Sequence, residues 1–145
     1  MTLCDVNVWV ALAIGPHVHH KAALNWFDSV NEPESVLFCR ATQHSLLRLL
    51  TTAALFAPYG LTALSNEAAL AQYDALVKDD RVAMLEVEPA GLEGHWRRFA
   101  TMSSASPRLW MDAYLAAFAV SAGARLITTD AGFRRFRGLR PLLLA

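Results

Sequence analysis

The sequence predicts an α/β fold: a mainly parallel central sheet of about five strands with helices on both faces. Three observations carry that expectation. Short apolar runs alternate with longer stretches of helical spacing along the 145 residues, the order of elements that builds parallel sheets. No repeat is visible and no Gly/Ser-rich or Pro-rich linker divides the chain, so a single domain over residues 1–145 is expected. Hydrophobic residues make up 54% and charged residues 18%, which excludes disorder and requires a large core.

The elements follow in order. Residues 3–4, 36–39, 82–87, 125–128 and 139–144 read as strands, because each run is apolar, too short for a helix and bounded by turn or charged residues. Residues 9–14 form an apolar helix stopped by Gly15-Pro16, and residues 19–30 place Ala22, Ala23, Trp26, Phe27 and Val30 at helical spacing. These two predict an antiparallel pair. Residues 42–51 set Gln43, Leu46, Leu47 and Leu50 on one face, residues 65–77 start at Ser65-Asn-Glu67, and residues 92–102 follow a Glu-Pro turn. A helix over 107–122 ends at Gly123, a good residue just past a helix terminus, and a short helical turn follows Asp130.

The formal net charge is zero, so no global field draws in nucleic acid. The total hides a split: residues 1–90 carry five basic and ten acidic side chains, and residues 91–145 carry eight basic and three acidic. All eight are Arg, among them Arg134 and Arg135, and guanidinium suits phosphate contacts, although a solvated surface is an equal alternative. Two cysteines, each in an apolar run, read as buried thiols and are too few for a disulfide scaffold. The start Met-Thr-Leu-Cys-Asp lacks a leader pattern, and Asp112 interrupts the most apolar segment, so a cytoplasmic location is expected.

Three carboxylates stand alone. Asp5 is the only charged residue among the first twenty, just past the first strand. Asp112 is the only one between Arg108 and Arg125, in a helix apolar almost all round and so expected to be buried, with Trp110 and Tyr114 packed in the core rather than free to stack a base. Asp130 is alone between Arg125 and Arg134, after Leu-Ile-Thr-Thr. Withdrawing a carboxylate from water costs several kcal/mol unless it is paired, hydrogen-bonded or metal-bound. Each taken alone has a structural alternative, as a helix cap or a first-turn acid. Together, all three fall at strand carboxyl ends or helix amino ends, where the ligand crevice of a parallel sheet lies. Three converging carboxylates need a cation, and oxygen-only ligation favours Mg²⁺ or Mn²⁺. The His17-x-His19-His20 cluster has no common zinc spacing and reads as a helix start.

Four pieces now stand in order: Asp5-Val-Asn7, Gln43-His-Ser-Leu-Leu-Arg48, Trp110-Met-Asp112-Ala-Tyr-Leu-Ala-Ala and Thr128-Thr-Asp130-Ala-Gly-Phe133. This set resembles the PIN domain, specifically the VapC toxins of bacterial toxin–antitoxin pairs, over residues 2–136. The resemblance implies a Mg²⁺- or Mn²⁺-dependent ribonuclease checked by a cognate VapB-type antitoxin. It further implies that Asp5, Asp112 and Asp130 are metal ligands supported by Asn7 and Thr128. One position departs: Gln43 stands where family members commonly carry Glu, so it offers an oxygen without charge. Arg134 and Arg135 would hold the RNA backbone. The antitoxin groove of the family would bring His19, His20 and Arg48 to an interface. A catalytically impaired antitoxin- or RNA-binding module is the alternative that Gln43 raises. A flavodoxin-like small-molecule domain, suggested by fold alone, ranks last, since no Gly-rich phosphate loop follows a strand. The apolar excess, with four Trp and the stretch Leu55-Phe56-Ala57, predicts exposed patches and a homodimer.

Overall fold

A computed structural model describes residues 1–145. Five strands form one parallel sheet: β1 (Thr2–Cys4), β2 (Val36–Cys39), β3 (Val82–Leu85), β4 (Arg125–Thr128) and β5 (Pro141–Leu143), in the order β3-β2-β1-β4-β5. The helices are α1 (Val6–Ala13), α2 (His20–Asp28), α3 (Arg40–Leu50), α4 (Ala53–Phe56), α5 (Asn66–Val77), α6 (Leu92–Ala100) and α7 (Leu109–Ala122), with 3-10 turns at Ala57–Tyr59 and Ala131–Arg135.

The central strands are apolar on both faces because both are covered. Cys4, Val36, Phe38 and Ile127 face a core built with α1, α3 and α5, in which the Trp9 and Phe38 rings stack at 3.8 Å. Leu3, Leu37, Cys39 and Leu126 face a second core dominated by α7. Both cysteines are buried and free. The period-two alternation of the strands thus distributes side chains between two helical layers.

Several boundaries differ from the sequence reading. The first helix starts at Val6 rather than at residue 9, because the Asp5 carbonyl accepts from the Val8 and Trp9 amides and turns the chain at once. β3 stops at Leu85; Val87, expected within it, is 81% exposed. Leu55-Phe56-Ala57 is no exposed patch, since α4 tucks Phe56 into the first core. Gly123 closes α7 at φ 65°, a left-handed conformation that favours glycine. No helix is long and apolar enough to cross a membrane.

Candidate active site

The strand order creates a switch point. From β1 the chain moves outward to β2 and β3, then returns to the other side of β1 as β4. Neighbouring connections therefore diverge at the carboxyl ends of β1 and β4, leaving a crevice between them. Asp5 follows β1 directly and Asp130 lies two residues past β4, so these acids flank the crevice. The Asp5 amide donates to the Ile127 carbonyl at 2.9 Å, which locks the two strand ends together.

Asp5 is only 4% exposed. Its Oδ2 accepts from Thr128 Oγ1 at 2.9 Å and from Asn7 Nδ2 at 3.4 Å. Thr128, wholly buried, also accepts from the Asp130 amide at 3.0 Å, so one hydroxyl ties both acidic segments. Burial pushes the Asp5 carboxyl up to about 6; the Thr128 bond and the Val6 amide oppose the rise, and the fields of Asp112 and Asp130 add to it. Asn7 and Thr128, named from the sequence as polar support for the acids, are thus the two side chains that bond Asp5.

The other two acids are less withdrawn. Asp130 is exposed, and its Oδ1 accepts from the Gly132 amide at 2.7 Å, capping the 3-10 turn. Asp112, in the first turn of α7, is half-buried, and burial raises its carboxyl while Arg135 opposes the rise. Its apparent isolation in sequence is corrected here: Arg135 Nη2 reaches Asp112 Oδ2 at 3.3 Å across 23 positions. The helix around it is not buried all round either. Trp110 is 58% exposed and Met111 is exposed, because Leu109 and Ala113 take the inward face at the start of α7 and leave these two on the outer one; Tyr114, half-buried, donates to Glu88 Oε1 at 2.8 Å.

The donor set is carboxylate, hydroxyl and amide oxygen, which fits a hard divalent cation, and a carboxyl held near 6 gains from one. The three acids share one corner and feel one another's charge. They do not close on a single point: no three His, Cys, Asp or Glu side chains lie close enough together to hold one ion. The expectation of full convergence is corrected accordingly, with the Arg135 guanidinium supplying at Asp112 the positive charge that a metal would provide.

The residues from 2 to 139 match the PIN-domain family model. The chain belongs to the PIN-domain family. This PIN domain is 50% identical to ribonuclease VapC41 of Mycobacterium tuberculosis over 145 residues, covering 100% of this chain and 99% of that protein. Ribonuclease VapC29 of the same species is 31% identical over 136 residues, covering 94% and 90% of the two chains. Among solved structures, VapBC2 from Rickettsia felis bound to a promoter DNA fragment matches with a TM-score of 0.69 at 13% identity, covering 99% of this chain and 98% of that one. M. tuberculosis VapC20, a sarcin-ricin loop cleaving toxin, matches at 0.64 and 20% identity, covering 97% and 100%. Such low identities establish a shared fold.

The remaining candidate residues of this PIN domain lie elsewhere. Gln43 does not join the acids. Its Oε1 accepts from Arg40 Nη1 at 2.8 Å, so it is held at the start of α3. Its partner stands three residues back on the same helix, a pairing that helical spacing allows but does not dictate. Arg134 is exposed and carries no ion pair. Arg48 lines a cleft of about 300 Å³ between α3 and α5 with Leu47, Asn66 and Leu70. Neither His19 nor His20 lines it: His19 precedes α2, and His20 Nδ1 contacts the Ala11 carbonyl at 2.7 Å. Sequence reasoning passed over Arg40, whose place at the first position of α3 is fixed only once β2 ends at Cys39.

Proposed function

We propose that this PIN domain is a VapC-type endoribonuclease toxin, dependent on Mg²⁺ or Mn²⁺ and restrained by a cognate VapB-type antitoxin. The observation that carries the reading is the buried Asp5 carboxyl at the sheet's switch point, held by Thr128 and Asn7 in the field of two further acids. The full-length likeness to proteins named ribonuclease VapC supports it. Asp5, Asp112 and Asp130 would hold the cation only by drawing together from their present separation, with Arg135 giving up Asp112. When bound, it supplies a more acidic water for in-line attack on the phosphodiester and neutralises charge on the transition state. Thr128 and Asn7 orient Asp5, while Arg134 and Arg135 grip the RNA backbone; Arg135 must exchange Asp112 for phosphate to do so. The antitoxin covers the face that bears Arg48, with His19 and His20 at its margin. The working form is one domain per chain, paired as a homodimer in the cytoplasm.

The test is direct. Purified protein with Mn²⁺ is expected to cut a structured RNA, EDTA to stop the reaction, and Asp5→Asn to lower the rate at least 100-fold, roughly the weight of one well-placed catalytic group. An Asp5→Asn protein that cuts as fast as the wild type overturns the assignment. Gln43 bound to Arg40, and Arg135 bound to Asp112, favour a second reading as a catalytically silent binding module. Wild-type protein that binds the RNA tightly yet leaves it intact in Mn²⁺ selects that reading.

A further inference from the structure

Beside the acidic corner, α6, α7 and the 3-10 turn after Asp130 frame a surface that the carboxylate chemistry does not use. One cleft of about 690 Å³ opens between α6 and the start of α7, lined by Trp96, Arg97, Ser104, Ser106 and Trp110. A second of about 350 Å³ is lined by Arg98, Phe99, Arg135, Phe136 and Arg137. Thr101 and Met102 line both, so the two adjoin, and no Asp or Glu lines either.

The aromatic part is built rather than loose. Trp96 Nε1 donates to the Trp110 carbonyl at 3.2 Å, and the two indoles lie 5.8 Å apart, so Trp110 is anchored at its backbone while the residue remains 58% exposed. The basic part is similarly organised. Arg98 lies over the Phe99 ring at 5.1 Å and Arg135 over the Phe136 ring at 4.9 Å. Arg137 has no carboxylate partner, whereas Arg97 is neutralised by Glu93 at 2.9 Å. Arg135 also touches Asp112, so the groove ends at the carboxylates.

We propose that this groove is a subsite for single-stranded RNA, with an unpaired base stacked on Trp110 and the neighbouring phosphates held by Arg98, Arg135 and Arg137. Interleaved aromatic faces and guanidiniums, of which Arg98 and Arg137 have no carboxylate partner and Arg135 would exchange Asp112 for phosphate, are the two features that single strands require. Only the fate of the bound strand rests on the nuclease reading; the binding itself does not.

Anisotropy of a short fluorescein-labelled single-stranded RNA, measured in EDTA, tests it. Trp110→Ala weakens binding about tenfold, the usual order for losing one stacked base, and Trp110→Phe restores most of it. Arg98→Ala and Arg137→Ala each flatten the slope of log K against log salt by about 0.7. Arg125→Ala, at the opposite end of β4, leaves affinity unchanged. Unaltered affinity in Trp110→Ala, or unaltered salt slopes in the arginine variants, overturns the proposal. So does a loss of dimer in Trp110→Ala on gel filtration, which makes the groove a contact between copies. Cleavage in Mn²⁺ separates the two readings. If Asp5→Asn cuts as well as the wild type while Trp110→Ala has lost RNA affinity, the nuclease reading falls and the subsite stands. If Asp5→Asn is dead while Trp110→Ala binds and cuts normally, the subsite falls and the nuclease stands.

Discussion

Asp5 holds a carboxyl in a place where its charge is costly. Burial, with the fields of Asp112 and Asp130, lifts it from an ordinary 3.8 to about 6, so the folded state binds a proton more tightly than the unfolded chain does. Between those values the native form carries more protons, and stability falls as pH rises. About two units at about 1.4 kcal/mol each amount to roughly 3 kcal/mol lost between pH 4 and pH 6. Asp112 is raised as well and adds in the same direction. Asp5→Asn keeps a side chain that can accept from Thr128 and has no charge to bury. In EDTA, urea denaturation is expected to show the wild type losing stability across this window while Asp5→Asn loses less, keeping only the share of Asp112, and is the more stable protein at pH 7. Equal curves for the two proteins would mean that Asp5 is not the strained group.

Elements are joined here by side chains that neither element announces. Arg81, just before β3, donates through Nη1 to the Phe27 and Val30 carbonyls at the end of α2, at 2.8 and 3.3 Å. Its Nε and Nη2 grip Asp79 at 2.8 and 2.7 Å, and its guanidinium lies 3.9 Å from the Phe27 ring centroid. Arg81→Met removes these charge-assisted bonds from a mostly buried site and is expected to cost about 2 kcal/mol, lowering Tm by roughly 4–8 °C. The pH dependence has the opposite sign to that of Asp5. Arg81 holds the Asp79 carboxyl down at about 2, so its contribution is present above pH 4 and disappears as pH falls through about 2. Melts of the two proteins should therefore draw closer in acid by the share that Asp79 contributes, while the carbonyl bonds and the ring contact keep part of the gap; a gap unchanged at pH 2 would assign the whole loss to those contacts. The strands and long helices were legible because apolar runs and helical spacing are local signals. α4 was not, since the four residues Ala53–Phe56 are too few to express a period. The Asp112–Arg135 pair was hidden for a different reason: two residues 23 positions apart meet only after α7 and β4 have packed. Trp110 misled because an apolar helix reads as buried, whereas at its start only the face that carries Leu109 and Ala113 is covered.

At the scale of the whole molecule, a sheet coated on both faces spends its apolar content on two cores and leaves its polar chemistry to one edge. Both halves of the chain meet at that edge: the mainly acidic residues 1–90 supply Asp5, and the arginine-rich remainder supplies Asp112, Asp130 and Arg135. Strain at the edge is therefore borne by the global fold, and relief of that strain should register in global unfolding. A divalent ion that binds only the folded state adds RT ln(1 + [L]/Kd), about 2.7 kcal/mol at a hundred times Kd. Because the carboxyls must be ionised to bind, this gain grows with pH over the window in which the metal-free protein weakens. Thermal melts in rising Mn²⁺ should show Tm climbing with concentration, more at pH 7.5 than at pH 5, and little change in Asp130→Ala. Arg135→Ala releases Asp112 from its guanidinium and should move the Mn²⁺ midpoint to lower concentration. A wild-type Tm indifferent to Mn²⁺ at pH 7.5 would leave Arg135 as the permanent counter-charge of the acidic corner, and the fold without its metal chemistry.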